Sequence, residues 1–272
     1  MPRTTRHKKN KPTGSGLSVK AKKRLRMGLL SVLALLLIGT FAWLYTEWRH
    51  YQRAITARFP EFGILMPAHH TIHGIDVSRY QQYISWPAVS SMEVLGIKLG
   101  FCFIKATEGA RYTDPRFSRN WQNSKKNKLI RGAYHFFVPG VSGLAQARHF
   151  LSTVTLQAGD LPPVLDIEVA GKAASSQLRK EVRHWLREVE RTTGVRPIIY
   201  TNVGFYQRYL GSDFDSYPLW IAHYYRPQQP SINRGWTFWQ HSDVGRVNGI
   251  EGPVDFNVFN GDSTAFRRIL IP

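Results

Sequence analysis

Two carboxylates stand two residues apart in an apolar stretch, PPVLDIEVAG, which spans 162–171 and contains Asp166 and Glu168. Side chains alternate along a strand, so these two share a face, with Cα atoms about 6.6 Å apart. Buried acids without partners are costly, and two like charges raise the pKa of at least one of them. An acid that keeps its proton near neutral pH is what cleavage of a glycosidic bond requires, so the pair predicts that chemistry.

Two further aspartates occupy similar places in other apolar stretches. Asp76 lies near the end of HGIDVS, and Asp255 lies within PVDFNVFN. Taken singly, each would be a cap, a turn residue or one half of a salt bridge. If the first and last strands of a closed barrel are neighbours, however, all four carboxylates converge on one mouth, at the end where barrel active sites are found.

Aromatic side chains lie at or near several predicted strand ends: Tyr134, Phe136, Tyr200, Trp220, Tyr224 and Trp239. Sugar rings stack their C–H faces on aromatic rings and hydrogen-bond through their edges. A set of aromatics with a few convergent polar groups is typical of a ligand cleft, so we expect these six residues to line a carbohydrate groove.

The elements that must position these residues alternate between strands and helices. Strands are predicted at 72–78, 102–107, 130–137, 163–169, 197–202, 219–224, 237–242 and 254–260. Helices are predicted around 114–127, at 142–154 and at 175–194, the last with Ser175 as N-cap and Gly194 as C-cap. This order implies parallel pairing. The predicted fold class is therefore α/β, a closed TIM-like barrel whose final third lacks regular helices.

The N-terminal region has a different composition. Residues 1–26 hold ten of the 37 Lys and Arg residues and no acid, and the 19 residues of 27–45 carry no charge. A helix of this length spans a hydrocarbon core of about 30 Å, and a basic flank marks the cytoplasmic side. We predict a basic cytoplasmic tail (1–26), a transmembrane anchor (27–46), a juxtamembrane stalk and linker (47–70) and an extracytoplasmic catalytic domain (71–272). A cleaved signal peptide is the alternative.

The rest of the chain is also basic. From residue 27 onward, 27 Lys and Arg residues face 18 acids, which leaves a net charge of +9. Such a charge implies a polyanionic neighbour, and an anionic cell wall or envelope fits an exported domain. No basic helix or base-stacking motif is evident, so nucleic acid is not a predicted partner. The single cysteine, Cys102, lies in an apolar run and is predicted to be buried.

Metal binding is not expected from the HHTIH stretch of the linker, because no carboxylate or cysteine stands at ligand spacing. Other histidines lie at predicted strand ends beside aspartates: His135, His223 and His241. They leave a metal-dependent deacetylase or amidase open as an alternative. A non-catalytic envelope protein that binds glycan in the same groove is the other alternative.

Eight motifs follow one another between residues 72 and 270: HGIDVSRYQ, FIKATEG, RGAYHFF, VLDIE, PIIYTN, LWIAHY, FWQHS and VDFNVFNG. In this order they resemble glycoside hydrolase family 25, the Chalaropsis-type lysozymes. The resemblance implies a modified barrel of five β/α units and three further strands. It also implies N-acetylmuramidase activity, the hydrolysis of the β-1,4 bond between N-acetylmuramic acid and N-acetylglucosamine in peptidoglycan, without a metal or other cofactor.

The resemblance also implies roles for the four carboxylates. Glu168 would be the general acid, and Asp166 would orient the N-acetyl group of the substrate. Asp76 and Asp255 would line the floor of the site, tune protonation and hold sugar or water. We hypothesise retention assisted by the substrate acetamido group, and inversion by single displacement is the competing route.

Two positions depart from the family pattern. Ser85 stands before Trp86 where many members have aspartate, and His241 replaces the tyrosine of a common WQYS motif. Neither removes a proposed catalytic group, but substrate preference or pH dependence can differ at such positions. The predicted anchor favours wall remodelling near the membrane, or clearing a path for an envelope machine, over free secretion.

Overall fold

A computed structural model describes residues 18–272 of the chain apart from 68, 173 and 227. The chain divides into two compact units between Ala54 and Ile55, and each is described by itself.

The first unit is helical. Helix α1, Val19–Arg58, begins within the predicted basic tail and ends within the predicted stalk and linker. Its segment Lys22–Arg49 is long and apolar enough to be a membrane span or a signal anchor. The hydroxyls of Ser31 and Thr40 donate to backbone oxygens one turn earlier, so these polar groups are satisfied within the helix, as an apolar environment requires.

The second unit is built on ten strands. They are β1 His73–Val77, β2 Glu93–Val94, β3 Ile97–Glu108, β4 Tyr112–Thr113, β5 Ile130–Phe136, β6 Val164–Asp166, β7 Ile198–Asn202, β8 Leu219–Ala222, β9 Phe238–Gly245 and β10 Val254–Phe259. The helices are α2 Trp86–Ser91, α3 Phe117–Lys126, α4 Gly143–Thr153, α5 Ser175–Thr193, α6 Val203–Phe205 and α7 Ser263–Arg268. Short 3-10 turns occupy Arg79–Gln81 and Gly211–Phe214, and a π-helical turn occupies Tyr206–Leu210.

Eight of these strands close into a barrel, which confirms the predicted fold class. Neighbouring strands pair in the order β1-β10-β9-β8-β7-β6-β5-β3, and β1 also pairs with β3. All pairings from β3 to β9 along this order, and the closing β1–β3 pairing, are parallel. The last strand differs from the expected parallel pairing, because β10 runs antiparallel to both β9 and β1. Only residues 246–253 connect β9 to β10, and a connection without a crossover helix allows only the antiparallel direction.

The predicted helices form the outer layer. Gly194 ends α5 with a φ of 69°, which confirms the predicted C-cap. Ser175 is the first helical residue, however, and the N-cap is Ala174, which makes no side-chain cap, so the predicted N-cap was one residue late. Gly143 brings α4 against α5 so closely that a Cβ at this position would lie 1.9 Å from the Glu181 carbonyl oxygen.

The core lies both inside the barrel and between the strands and the helices. Inside, aromatic rings stack on one another, with Phe103 and Trp220 at a centroid distance of 4.2 Å. Helix α7 covers the end opposite the carboxyl ends of the parallel strands, where Phe266 contacts Phe101. The predicted linker, 47–70, contributes to this core as well, since Phe62 is fully buried and its ring lies 5.4 Å from that of Phe256.

Candidate active site

A cavity of about 270 Å³ opens at the carboxyl ends of the parallel strands. All four predicted carboxylates line it, together with five of the six predicted aromatics: Tyr134, Phe136, Tyr200, Trp220 and Tyr224. Strand direction brings the acids together, because β1 and β6 end at this rim and the antiparallel β10 begins there. The structure therefore assembles one acidic cleft from positions that are up to 179 residues apart in the sequence.

Asp76 and Asp255 face each other across the β1–β10 pairing, and we call them the floor pair. Asp76 Oδ2 accepts hydrogen bonds from Gln240 Nε2 at 2.8 Å and from Asn257 Nδ2 at 2.7 Å. Burial raises the pKa of Asp76 to about 6, against the lowering effect of these donors. Burial and the charge of Asp76 raise the pKa of Asp255 to about 9. The floor pair thus holds one proton near neutral pH, in a hydrogen bond between its two carboxyl groups.

Two amide side chains fix the orientation of the floor pair, and both were missed from the sequence. Gln240 Oε1 accepts from the hydroxyls of Tyr200 at 2.8 Å and Tyr224 at 2.7 Å. Asn257 Oδ1 accepts from Trp220 Nε1 at 2.7 Å. Because each amide oxygen is occupied by a donor, each NH₂ group is aimed at the floor pair. The signal for Asn257 was present, since it stands two residues after Asp255 and so shares its strand face.

Asp166 and Glu168 occupy the opposite wall. Strand β6 ends at Asp166, earlier than the predicted 163–169, so Glu168 lies just beyond the strand and is only half-buried. Burial and the nearby charge of Glu168 raise the pKa of Asp166 well above its usual range. Burial also raises the pKa of Glu168, against the lowering effect of Lys105. Asp166 Oδ1 is buried without a hydrogen-bond partner in the described part of the chain, and the Asp166 side chain is among those that line the cleft.

Lys105 is a further residue of the cleft that sequence reasoning missed. It is only 8% exposed, its Nζ lies 2.7 Å from Glu108 Oε2, and it lies 4.7 Å from the centre of the Phe136 ring. Its charge lowers the pKa values of both Asp166 and Glu168. A lysine inside the apolar stretch CFIKAT was the available signal, because a buried lysine is rare unless it has a partner.

Trp239 does not line the cleft, which corrects the sequence-based expectation. The side chain is fully buried on the outer side of β9, and its Nε1 donates to the His223 carbonyl oxygen at 2.9 Å. Neighbouring residues of a strand point to opposite faces, so with Gln240 inside the barrel, Trp239 must lie outside. His241 lies on the same outer side, 5.5 Å from the Trp239 ring.

The histidines considered as metal ligands do not converge. His135 is buried between Thr107 Oγ1, 2.7 Å from its Nδ1, and Gln146 Oε1, 3.1 Å from its Nε2. His223 bonds Arg226 and Ser231 in its own loop. In the part of the chain that the structure describes, no three His, Cys, Asp or Glu side chains are arranged to hold a metal ion.

An eight-stranded barrel with clustered carboxylates and aromatics at the carboxyl ends of its strands defines the class as a barrel glycosidase. The family model for glycosyl hydrolases family 25 matches residues 75–250. The Escherichia coli K12 protein YegX is 49% identical over 241 residues, 86% of this chain and 88% of its own. Lysozyme M1 of Streptomyces globisporus is 39% identical over 207 residues, 71% of this chain and 69% of its own.

The solved structure of the bacterial lysozyme from Streptomyces coelicolor is also similar. It is 36% identical and matches with a TM-score of 0.66, covering 74% of this chain and 97% of that one. The present chain belongs to glycosyl hydrolases family 25. It is a glycoside hydrolase of the lysozyme class, whose substrate is peptidoglycan.

Proposed function

We propose that the enzyme is an N-acetylmuramidase that hydrolyses the β-1,4 bond between N-acetylmuramic acid and N-acetylglucosamine. The observation that carries this proposal is the cleft itself, in which four carboxyl groups with raised pKa values line one cavity together with aromatic rings. Glycosidic cleavage needs one carboxyl group that gives a proton and others that stabilise positive charge at the anomeric carbon.

Glu168 is the proposed general acid. Glu168 is more accessible than Asp166, since it lies beyond the end of β6 and is half-buried. Burial raises its pKa, which keeps it protonated closer to neutral pH, while Lys105 limits that rise. A general acid must hold its proton near neutral pH and still give it up readily. A pKa that burial raises and that Lys105 keeps from rising further therefore suits the role.

Asp166 is the proposed partner of the substrate acetamido group. Its side chain lines the cleft, and its carboxyl is proposed to accept the acetamido N–H. In the proposed first step, the acetamido oxygen attacks the anomeric carbon while Glu168 protonates the departing glycosidic oxygen, which breaks the C–O bond. In the second step, Glu168 takes a proton from water, whose oxygen attacks the same carbon and reopens the ring formed by the acetamido group. Two displacements at one carbon retain its configuration.

The floor pair is proposed to hold the sugar rather than to transfer the proton. Asp76 is already engaged by two amide donors, and the single proton of the floor pair is held in the hydrogen bond between Asp76 and Asp255. Their net single negative charge lies beneath the cleft, where it favours the positive charge that develops on the sugar ring.

The configuration of the first product tests this mechanism. Proton NMR during hydrolysis of short glycan strands should detect the β-anomer of reducing N-acetylmuramic acid before mutarotation. An initial α-anomer would reject retention and indicate a single displacement by water.

The bond that is cut is tested with purified peptidoglycan and the full chain in detergent micelles. Products are reduced with borohydride and analysed by mass spectrometry, with Glu168→Gln as the matched variant. We expect reduced muramic acid ends from the wild type and none from the variant. Reduced glucosamine ends, or cleaved stem peptides with intact glycan, would contradict the proposal. If Glu168→Gln kept the function of the wild type in the cell, the protein would be a glycan-binding protein rather than an enzyme.

We also propose that α1 is an uncleaved anchor, with its N-terminus in the cytoplasm and the barrel on the far side of the membrane. The basic residues before the apolar segment support this orientation. In this arrangement the enzyme reaches glycan close to the membrane, where a partner envelope machine would need a gap in the wall. Because Cys102 is buried, single cysteines are introduced at exposed positions of the barrel and within residues 1–26. A thiol reagent that does not cross the membrane should label the barrel positions in intact cells but not those in 1–26, and a mature protein released into the medium would contradict the proposal.

A further inference from the structure

Most of the excess positive charge after residue 26 lies in one stretch. Residues 109–158 contain eight Lys and Arg and one acid, a net charge of +7 out of the +9. This stretch forms β4, α3, β5 and α4. The one acid, Asp114, is buried and accepts the backbone N–H groups of Arg79 and Arg116. The stretch therefore offers cations to solvent without a compensating carboxylate of its own.

Arg131 is the exception among these eight cations. It forms a buried ion pair with Asp160 at 2.9 Å and lies 3.8 Å above the Trp121 ring. Within the residues that the structure describes, none of the other seven forms an ion pair. Cations that the protein does not neutralise itself are available to an external anion.

A groove of about 850 Å³ lies within this basic surface, between α3 and residues 153–157. Lys125 and Lys126 stand on its rim, and Phe117 and Trp121 provide an apolar lining. Hydroxyl and amide groups complete it: Thr113, Ser118, Gln122 and Thr155. A groove of this chemistry suits an extended ligand that carries both carboxylates and apolar groups.

The groove and the catalytic cavity share a wall. Asp114 lines the groove, and its Oδ2 accepts from Arg79 N at 2.9 Å. The residues on either side of Arg79, Ser78 and Tyr80, line the catalytic cavity. The Arg79 guanidinium lies 4.7 Å from the centre of the Tyr80 ring, which lines the cavity, and 5.8 Å from the centre of the Tyr112 ring, whose neighbour Thr113 lines the groove. A group attached to a sugar in the cavity thus has a short path over Arg79 into the groove.

We infer that this groove, with Arg79 at its entrance, binds the carboxylates of the stem peptide that N-acetylmuramic acid carries. The inference rests on the proposed function and adds a peptide subsite to it. The stem peptide is attached to the same sugar whose anomeric carbon faces Glu168, and it carries several carboxylates. Continuity with the cavity favours this substrate-borne anion over an unattached one.

The test compares two substrates that differ only in the stem. One is purified peptidoglycan strands, and the other is the same glycan after an amidase has removed the peptides. The full chain in detergent micelles is assayed as wild type and as Lys125→Gln/Lys126→Gln. The control, Arg267→Gln/Arg268→Gln, removes two exposed charges from α7, which are not among the residues that line the groove.

For the wild type we expect kcat/KM to be about threefold to tenfold higher on stem-bearing strands, since each exposed charge contact contributes a small free energy. This advantage should fall as salt is raised, because the charges are exposed. The Lys125→Gln/Lys126→Gln protein should lose the advantage, with cleavage of stripped glycan retained, and the control should keep it.

Equal cleavage of both substrates by the wild type would overturn the inference while leaving the proposed function intact. So would an undiminished advantage in the Lys125→Gln/Lys126→Gln protein, or an equal loss in the α7 control. Cleavage of neither substrate by the wild type would refute the proposed function itself, and the peptide subsite with it.

Discussion

Two buried histidines should make the barrel sensitive to acid. His241 is 5% exposed and His73 is 2% exposed. In the described part of the chain, neither His241 Nε2 nor His73 Nδ1 has a hydrogen-bond partner. Burial lowers the pKa of His241 to about 3 and that of His73 to about 4, both from 6.5. The folded protein therefore resists protonation at two sites that the unfolded chain protonates easily.

The sign and size of the effect follow from these pKa values. A histidine whose pKa is depressed in the folded state costs no stability above the unfolded pKa, and stability is lost as pH falls below it. At about pH 5 the unfolded histidine lies roughly 1.5 pH units below its pKa, and at 1.36 kcal/mol per unit each site lowers the free energy of unfolding by about 2 kcal/mol. Since both folded pKa values lie below 5, the loss is set by the unfolded pKa of 6.5.

The perturbation is His241→Phe, which keeps an aromatic ring against Trp239 and Phe256 and removes the titrating group. Urea unfolding of the full chain in detergent, followed by tryptophan fluorescence, gives the free energy of unfolding at pH 7 and at pH 5. We expect the wild type to lose about 2 kcal/mol more than the variant between these values. The floor pair changes stability in the opposite direction, but it is common to both proteins and cancels in the difference.

The matched control is His69→Gln, since His69 is an exposed histidine. Its pH dependence should run parallel to that of the wild type. A packing change in His241→Phe shifts the free energy of unfolding equally at pH 7 and at pH 5. The comparison is therefore between the loss from pH 7 to pH 5 in the wild type and the same loss in the variant. Parallel curves for the wild type and His241→Phe would refute the reasoning.

Three further changes test the cleft and the helical layer. Lys105→Met should move the alkaline limb of the kcat/KM–pH profile to higher pH, because Lys105 lowers the pKa of Glu168, and an unmoved limb would contradict the assignment. Gln240→Leu removes a donor to the floor pair and should lower kcat about tenfold to a hundredfold, whether or not KM also rises, which is the size expected for a hydrogen bond to a charged group. A KM effect alone would mean that the floor pair only binds sugar. Gly143→Ala places a Cβ 1.9 Å from a carbonyl oxygen of α5 and should cost about 1–3 kcal/mol in thermal unfolding, whereas Gly100→Ala, with its nearest atom at 3.8 Å, should not.

The sequence was most informative about the elements and the acids. Alternating apolar strands and amphipathic helices predicted all eight barrel strands, because both periodicities reflect burial that any compact α/β fold imposes. Asp166 and Glu168 were identified because two acids in one apolar run are hard to explain otherwise. Barrel closure predicted that the strands of Asp76 and Asp255 are neighbours, but the antiparallel direction of β10 is what brings Asp255 to the rim.

The hydrogen-bond partners were not predictable in the same way. Gln240 and Trp239 are adjacent, and only the strand register decides which one enters the barrel. The aromatic was selected because aromatics bind sugars, yet the amide is the one that holds Asp76. Lys105 was not predictable for the same reason. It pairs with Glu108, and it lowers the pKa of Glu168 only because the fold brings the two side chains close together.

The reversed direction of β10 is the feature on which the chemistry of the cleft depends most. In a fully parallel barrel an acid reaches the active rim only from the end of its strand, yet Asp255 is the second residue of β10. Because β10 runs antiparallel, its beginning lies at the rim where β1 ends, and the register sets Asp255 directly opposite Asp76. Like-charge proximity then forces one proton onto the pair, which gives the floor a single negative charge near neutral pH. A short connection between β9 and β10 is therefore a requirement of the site, and lengthening it enough to admit a crossover helix would remove Asp255 from the floor.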